Sequence, residues 1–194
     1  MTDSRRTLLA RHREALDLFT ERVRAIRPDQ WRRGTPCSEW TVRDLVNHLT
    51  VEQLWVPPLL DGASIEEIGD SLSGDRLGKR PAAAWAEAAE AAHAAFAARG
   101  ALGRTVELSY GPTGAEAYCS QMTADAIVHS WDLSRAIGAE ERPSKALTEF
   151  AVREFGPYAG DLSESGVFGE PVPAPPDADA WEDLLARLGR RPRA

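Results

Sequence analysis

The chain has 194 residues, the size of one domain with at most a small appendage, and 43% of them are hydrophobic, enough for a sizeable core. With 30 Asp and Glu against 23 Lys and Arg, the formal net charge is −7. That balance argues against nucleic acid and against an anionic membrane surface as partners, since both need cationic groups to neutralise phosphate. No apolar run approaches the ~18 residues of a membrane span. Residues 1–16 hold no apolar signal-peptide core. The two cysteines, Cys37 and Cys119, form no CxxC motif, so a disulfide framework is not expected and a cytoplasmic, reducing compartment is.

Residues 3–26 read as the first helix, because Leu8, His12, Ala15, Leu16, Phe19, Val23 and Ile26 recur at helical spacing. It should stop before Arg27, which precedes Pro28. Residues 30–40 are a connector. Thr41 then caps a second helix over 41–60, with Asp44 at the capping-box position. That helix should bend or end at Pro57 and Pro58. Residues 61–80 read as loop with a short helical turn. Pro81 starts a third long helix, reaching about Arg99, with Trp85, Ala89, Ala92, His93 and Phe96 on one face.

Residues 104–110 alternate briefly, as a short strand or extended arm, and Gly111 with Pro112 should mark a turn. The fourth long helix covers about 114–137 and stops at Gly138. A fifth helix is expected over 144–158, a proline-rich linker over 170–177 and a last short helix over 179–188. Four long helices with long connectors predict an all-α four-helix bundle over residues 1–138, and residues 139–194 a helical tail packed on it.

The candidate site lies on the second and fourth long helices. His48 and Glu52 are four apart on one, Asp125 and His129 four apart on the other, and such pairs are neighbours on one helix face. Both histidines sit in apolar context, LVNHL and AIVHSW, so both should face inward, where a buried imidazole needs a partner. Imidazole and carboxylate donors suit Zn, Ni, Fe or Mn, and the absence of thiolate argues against a purely structural zinc. Three protein ligands leave a tetrahedral ion one open position, as in catalytic zinc sites. From spacing alone, capped or surface His–carboxylate neighbours remain the alternative. Glu52 is either an outer carboxylate or a general base. Asp132 shares the His129 face and either orients it or pairs with Arg135 or Lys145. His12 reads as a core or pocket-wall histidine, His93 as packed or solvated, and Trp40, Trp55 and Trp131 as core, Trp55 being placed also to line a pocket. Cys37 sits just before a helix N-terminus, where thiolates are favoured.

Three stretches carry a resemblance: residues 31–60, with TPCSEWTVRDLVNHL; residues 122–138, MTADAIVHSWDLSRAIG; and residues 169–190, GEPVPAPPDADAWEDLLARLGR. Together they resemble the actinobacterial relatives of the N-terminal metal-binding domain of mycothiol-dependent maleylpyruvate isomerase, a domain similar to the DinB/YfiT-like four-helix bundles. The resemblance spans nearly the whole chain. It implies a DinB-like bundle with crossover connections and a divalent metal, most often Zn²⁺ with Ni²⁺ or Fe²⁺ as alternatives, held by His48, Asp125 and His129. The isomerase has Glu where this chain has Asp125, a reach shorter by one methylene. It also carries a further C-terminal domain where this chain has residues 139–194, so a reaction other than maleylpyruvate isomerisation is expected.

The expected function is then a metal-dependent, mycothiol-dependent S-transferase or cis/trans isomerase. Its partners would be a low-molecular-weight thiol and a small-molecule electrophile, in a monomer or homodimer. The alternatives are a non-catalytic metal- or ligand-binding bundle and a bundle that has lost its metal and serves as a scaffold.

Overall fold

The computed structural model describes residues 2–37, 40–160 and 168–193; Ser38 and Glu39 of the TPCSEW stretch lie outside them. Four long helices form the body: α1 (Asp3–Ala25), α2 (Val42–Leu60), α4 (Pro81–Ala97) and α5 (Ala115–Ile137). A short α3 (Ile65–Ile68) lies between α2 and α4, and α6 (Lys145–Phe155) and α7 (Ala180–Arg187) follow α5. Helix α1 packs on α5 and α2 on α4, while α1–α4 and α2–α5 contacts close the bundle. This is the all-α, DinB-like bundle expected. None of the described helices is long and apolar enough to cross a membrane.

The helix ends follow local chemistry. Thr41 and Asp44 make a reciprocal capping box, each side chain accepting from the other's backbone N–H. Beyond α1, the buried Gln30 accepts from the Arg27 N–H at 2.8 Å and donates to the Ile137 carbonyl at 2.9 Å. One side chain thus satisfies the loose ends of two helices. Gly138, at φ +71°, takes the left-handed turn that ends α5.

Two expectations are corrected. Helix α2 runs through Pro57 and Pro58 to Leu60. The prolines fall in its last turn, where their φ suits a helix, and their carbonyls accept from the N–H groups of Asp61 and Ala63, both at 3.0 Å. The turn is not at Gly111 and Pro112. These residues open β2 (Gly111–Gly114), which pairs antiparallel with β1 (Thr105–Leu108), and the chain reverses at Ser109 and Tyr110. A proline fits there because an edge strand has no outer neighbour needing its N–H.

The core is contiguous. Leu16, Phe19, Leu45, Leu49, Trp85, Phe96, Ile127 and Leu133 are buried, each contributing about 1.5–3 kcal/mol for an aliphatic or Phe side chain. Phe19 meets Trp85 edge-on at 4.6 Å, and the indole N–H donates to the Thr20 hydroxyl at 2.8 Å. Helix α6 packs on α5 and α1, and α7 on α6. This brings the chain's end back over the C-terminal half of α5.

Candidate metal centre

Helix α2 presents His48 and Glu52 one turn apart, and α5 presents Asp125, His129 and Asp132 along one face. His48, Asp125 and His129 each bring one ligand atom within 4.8 Å of the others. His129 Nε2 stands 3.5 Å from Asp125 Oδ1, and the two imidazoles lie near perpendicular, 5.4 Å apart. Glu52 is outside that three-residue set but beside it, with Oε1 3.4 Å from His48 Nε2. His129 and Asp125 are deep, while the His48 side chain is about one-third exposed and faces the mouth.

The donor set fits a divalent cation. Glu52 Oε2 and Asp125 Oδ2 are buried oxygens without a donor among the described residues; the two carboxyls meet each other, where only a shared proton or a cation satisfies both. Orphaned buried acceptors cost about 1–3 kcal/mol each, and a cation would satisfy them. The proton affinities carry the same strain. Burial pushes the Asp125 carboxyl up to about 7, with His129 opposing and Glu52 adding to the rise. Burial also raises Glu52. His48 is driven down to about 4 by burial and by His129. For His129 burial acts downward, but the Asp125 charge and the bond to Asp132 overcome it, and the imidazole sits well above its ordinary value. Two carboxyls forced toward neutrality beside imidazoles are groups whose balance a positive ion would reverse.

Behind His129 is a second layer. Asp132, fully buried, accepts from or shares a proton with His129 Nδ1 at 2.9 Å. That leaves Nε2 facing the site, the arrangement by which a carboxylate fixes the tautomer of a metal-binding imidazole. Arg190 grips the same carboxylate with Nε at 3.2 Å and Nη2 at 2.8 Å. Burial opposes the Asp132 charge, and Arg190 and His129 more than compensate, holding it well below the usual carboxylate range. Of the two roles the sequence offered Asp132, the contact with His129 is the one present; its cationic partner is Arg190 rather than Arg135 or Lys145. Arg135 instead bonds Glu141 and the Pro192 carbonyl.

Residues 12–134 match the family described as the mycothiol maleylpyruvate isomerase N-terminal domain. The chain belongs to that family. Uncharacterised proteins of two Mycobacterium tuberculosis strains are each 30% identical to it over 193 residues, 95% of this chain and 98% of theirs. The crystal structure of a mutant mycothiol-dependent maleylpyruvate isomerase is similar in fold, with TM-score 0.62 and 13% identity over 82% of this chain and 69% of that one. The family match contains His48, Glu52, Asp125, His129 and Asp132 and ends before Arg190.

Other residues complete the surroundings of the family's shared segment. Trp40 covers His48 at 4.7 Å between rings and lies 6.1 Å from His129. Phe168 stacks on His129 at 6.0 Å from the other side. Cys37 Sγ is 3.2 Å from Asp132 Oδ2 and 3.8 Å from His129 Nδ1. Cys37, His129 and Asp132 thereby form a second close donor group, but Asp132 there is already committed to Arg190. Cys119 is a fully buried thiol, as expected, and Trp131 is core, while Trp55 is half-buried. An open groove of about 550 Å³ reaches His48 between Trp40, Asn47, Val51 and Leu72. A larger one, about 1030 Å³, lies beside Arg5, Arg11, Glu116 and Phe150 and touches none of the candidate ligands.

Sequence patterning singled out the four residues of the centre but missed Arg190 and Phe168, and it assigned Trp40 only to the core. Gly189 after an apolar helix was a readable stop signal, placing Arg190 just past a helix end. Nothing along the chain pointed that arginine at Asp132.

Proposed function

We propose that this protein binds a divalent metal ion, zinc foremost, through His48, Asp125 and His129, and uses it with a low-molecular-weight thiol to conjugate or isomerise a small electrophile. The observation that carries the reading is the meeting of these donors around two orphaned buried carboxylate oxygens. Membership of the mycothiol isomerase family supports mycothiol as the thiol. Two free cysteines agree with a reducing cytoplasm.

A bound divalent ion would supply Lewis acidity that favours the thiolate form of a thiol at neutral pH. The chain's own residues supply the rest. His129 is oriented by Asp132, and Trp40 packs against the His48 ring. Glu52, half-buried with its Oε2 turned inside, is the proton acceptor for an incoming S–H. The sulfur forms a bond to the electrophilic carbon, and the proton held at Glu52 returns to the adduct. In conjugation the adduct leaves. In isomerisation Glu52 takes the adduct's proton back as the C–S bond breaks after rotation, and that proton passes to the departing sulfur, regenerating the thiol. The groove beside His48 is where the electrophile enters.

The test is metal quantification on protein purified without chelator, followed by titration with mycothiol and a thiol-consumption assay with model electrophiles. One ion per chain with saturable thiol binding is expected. No stoichiometric metal after incubation with Zn²⁺ removes the reading; metal and thiol binding without turnover leaves a binding protein.

A further inference from the structure

We infer that Arg190 is a positioning residue for the metal centre: the C-terminal segment docks its guanidinium on Asp132 and so fixes His129 for metal binding. The inference rests on the metal reading above and adds a part that the family match does not contain.

The chain delivers Arg190 by helix-end geometry. Gly189 follows α7 at φ +84°. Its N–H donates to the Ala186 carbonyl at 3.0 Å, and the Arg190 N–H to the Leu185 carbonyl at 2.8 Å. This is the double closure of a Schellman motif, which turns the next residue back across its own helix. A Cβ on Gly189 would stand 2.8 Å from the Gly169 backbone, so only glycine lets the turn seat here. The position after such a glycine usually carries an apolar side chain. Here it carries a charge, directed inward and only 4% exposed.

Every group of that guanidinium is engaged. Nε and Nη2 take both oxygens of Asp132, Nη1 donates to the Leu188 carbonyl at 2.6 Å, and Nη2 lies 3.3 Å from Cys37 Sγ. The face of the group covers Phe168 at 4.8 Å. A buried carboxylate gripped by a planar fork cannot rotate. Its Oδ2 is therefore fixed where His129 Nδ1 meets it. Nδ1 is kept as the hydrogen-bonded nitrogen and Nε2 as the one turned to Asp125. Removing the fork would leave Asp132 buried with one partner fewer and free to turn away.

The experiment uses the full chain with Arg190→Met, Arg190→Lys, Asp132→Asn and the Arg190→Met/Asp132→Asn double variant. Zn²⁺ affinity is read by competition with a chromophoric chelator, and the His129 tautomer by long-range ¹H–¹⁵N NMR of the metal-free protein at a pH high enough to leave its raised imidazole neutral. Arg190→Met and Asp132→Asn should each weaken Zn²⁺ binding about 10–100-fold. The double variant should be no weaker than Asp132→Asn alone, because the arginine acts through that carboxylate. The Nδ1–H tautomer of His129, uniform in the parent, should become mixed in Arg190→Met. Arg190→Lys keeps charge without the fork and should show a smaller loss, which keeps the test open if Arg190→Met does not fold. Zn²⁺ affinity within threefold of the parent in both Arg190 variants, with an unchanged tautomer, overturns the inference even if their melting temperatures fall, since the arginine would then only hold the tail. If the parent itself binds no metal, the proposed function falls, and the tautomer alone decides whether Arg190 positions His129.

Discussion

Two histidine pairs lie in this bundle, each joining a buried imidazole to a half-buried one, and they differ in what surrounds them. His48 and His129, across α2 and α5, stand nearly perpendicular among Glu52, Asp125 and Asp132. His12 and His93, across α1 and α4, stack within 14° of parallel, Nδ1 to Nδ1 at 3.1 Å, with Phe96 edge-on at 5.2 Å. His12 is fully buried and its Nε2 has no partner among the described residues. If His12 Nδ1 donates to His93, the orphan is a bare lone pair; the reverse tautomers would strand an N–H. The first is the cheaper arrangement. No close donor group of three forms around His12 among the described residues. The lesson is that the carboxylates, not the imidazoles, separate a candidate metal site from a packing contact.

The comparison breaks first at the metal. His129→Ala should abolish stoichiometric metal binding, because two ligands do not complete a shell. His12→Leu should leave it at one ion per chain. Elemental analysis of both variants after Zn²⁺ loading checks this, and metal loss in His12→Leu would tie the second pair to the first. In the parent, metal at 100-fold over its Kd should stabilise by about 2.7 kcal/mol, and in His129→Ala by nothing measurable. Chelation should lower the melting temperature without unfolding the parent at 25 °C, since the apolar core does not depend on the ion.

The next test separates the carboxylates within the first pair. Glu52 lies outside the three-ligand set, so Glu52→Gln should keep most of the metal. Losing the proton acceptor should lower thiol-dependent turnover roughly 10²–10⁴-fold. Metal content and turnover are measured on one preparation. Loss of both makes Glu52 a ligand; retention of both removes it from the mechanism.

The same contrast explains what the sequence disclosed. His48 is followed four residues on by Glu52, and His129 preceded four residues back by Asp125. His12 is followed at that spacing by Leu16 and His93 by Ala97. Carboxylates at four-residue spacing therefore mark both members of the first pair, while the second has only Glu90, three residues before His93. Helical spacing also gives the four long helices and several of their ends, because Thr41, Pro81 and Gly138 act locally, while α4 stops at Ala97, short of the Gly100 expected to end it. What stayed hidden is non-local. Asp132 and Arg190 are 58 residues apart, and Cys37 and Arg190 153 apart. Trp40 read as core because an indole's hydrophobicity does not say whether it meets leucine or an imidazole. Pro57 and Pro58 suggested a bend or an end, but their fixed φ suits a helix, and α2 continues two residues past them to Leu60.

The smallest expected effect sharpens the second pair and concerns acid. Burial, with His93 and Arg13 adding, holds His12 down at about 3 in the folded protein, against 6.5 for the ordinary imidazole. His93 is lowered as well, again by burial first and then by Arg13, with Glu90 and Asp17 opposing. Between pH 6.5 and 3 the unfolded chain thus binds a proton at His12 that the folded one refuses. Stability from this site is complete above pH 6.5 and is lost as pH falls toward 3. Between pH 7 and 5.5 the loss should be about 1 kcal/mol. His48, also lowered in the fold, acts in the same direction, so the informative quantity is the difference between the parent and His12→Leu in denaturant unfolding with chelator present. That difference should move in favour of the variant by about 1 kcal/mol from pH 7 to 5.5. A difference independent of pH would mean that His12 is protonated in the fold, and the neutral stacked pair would have to be abandoned.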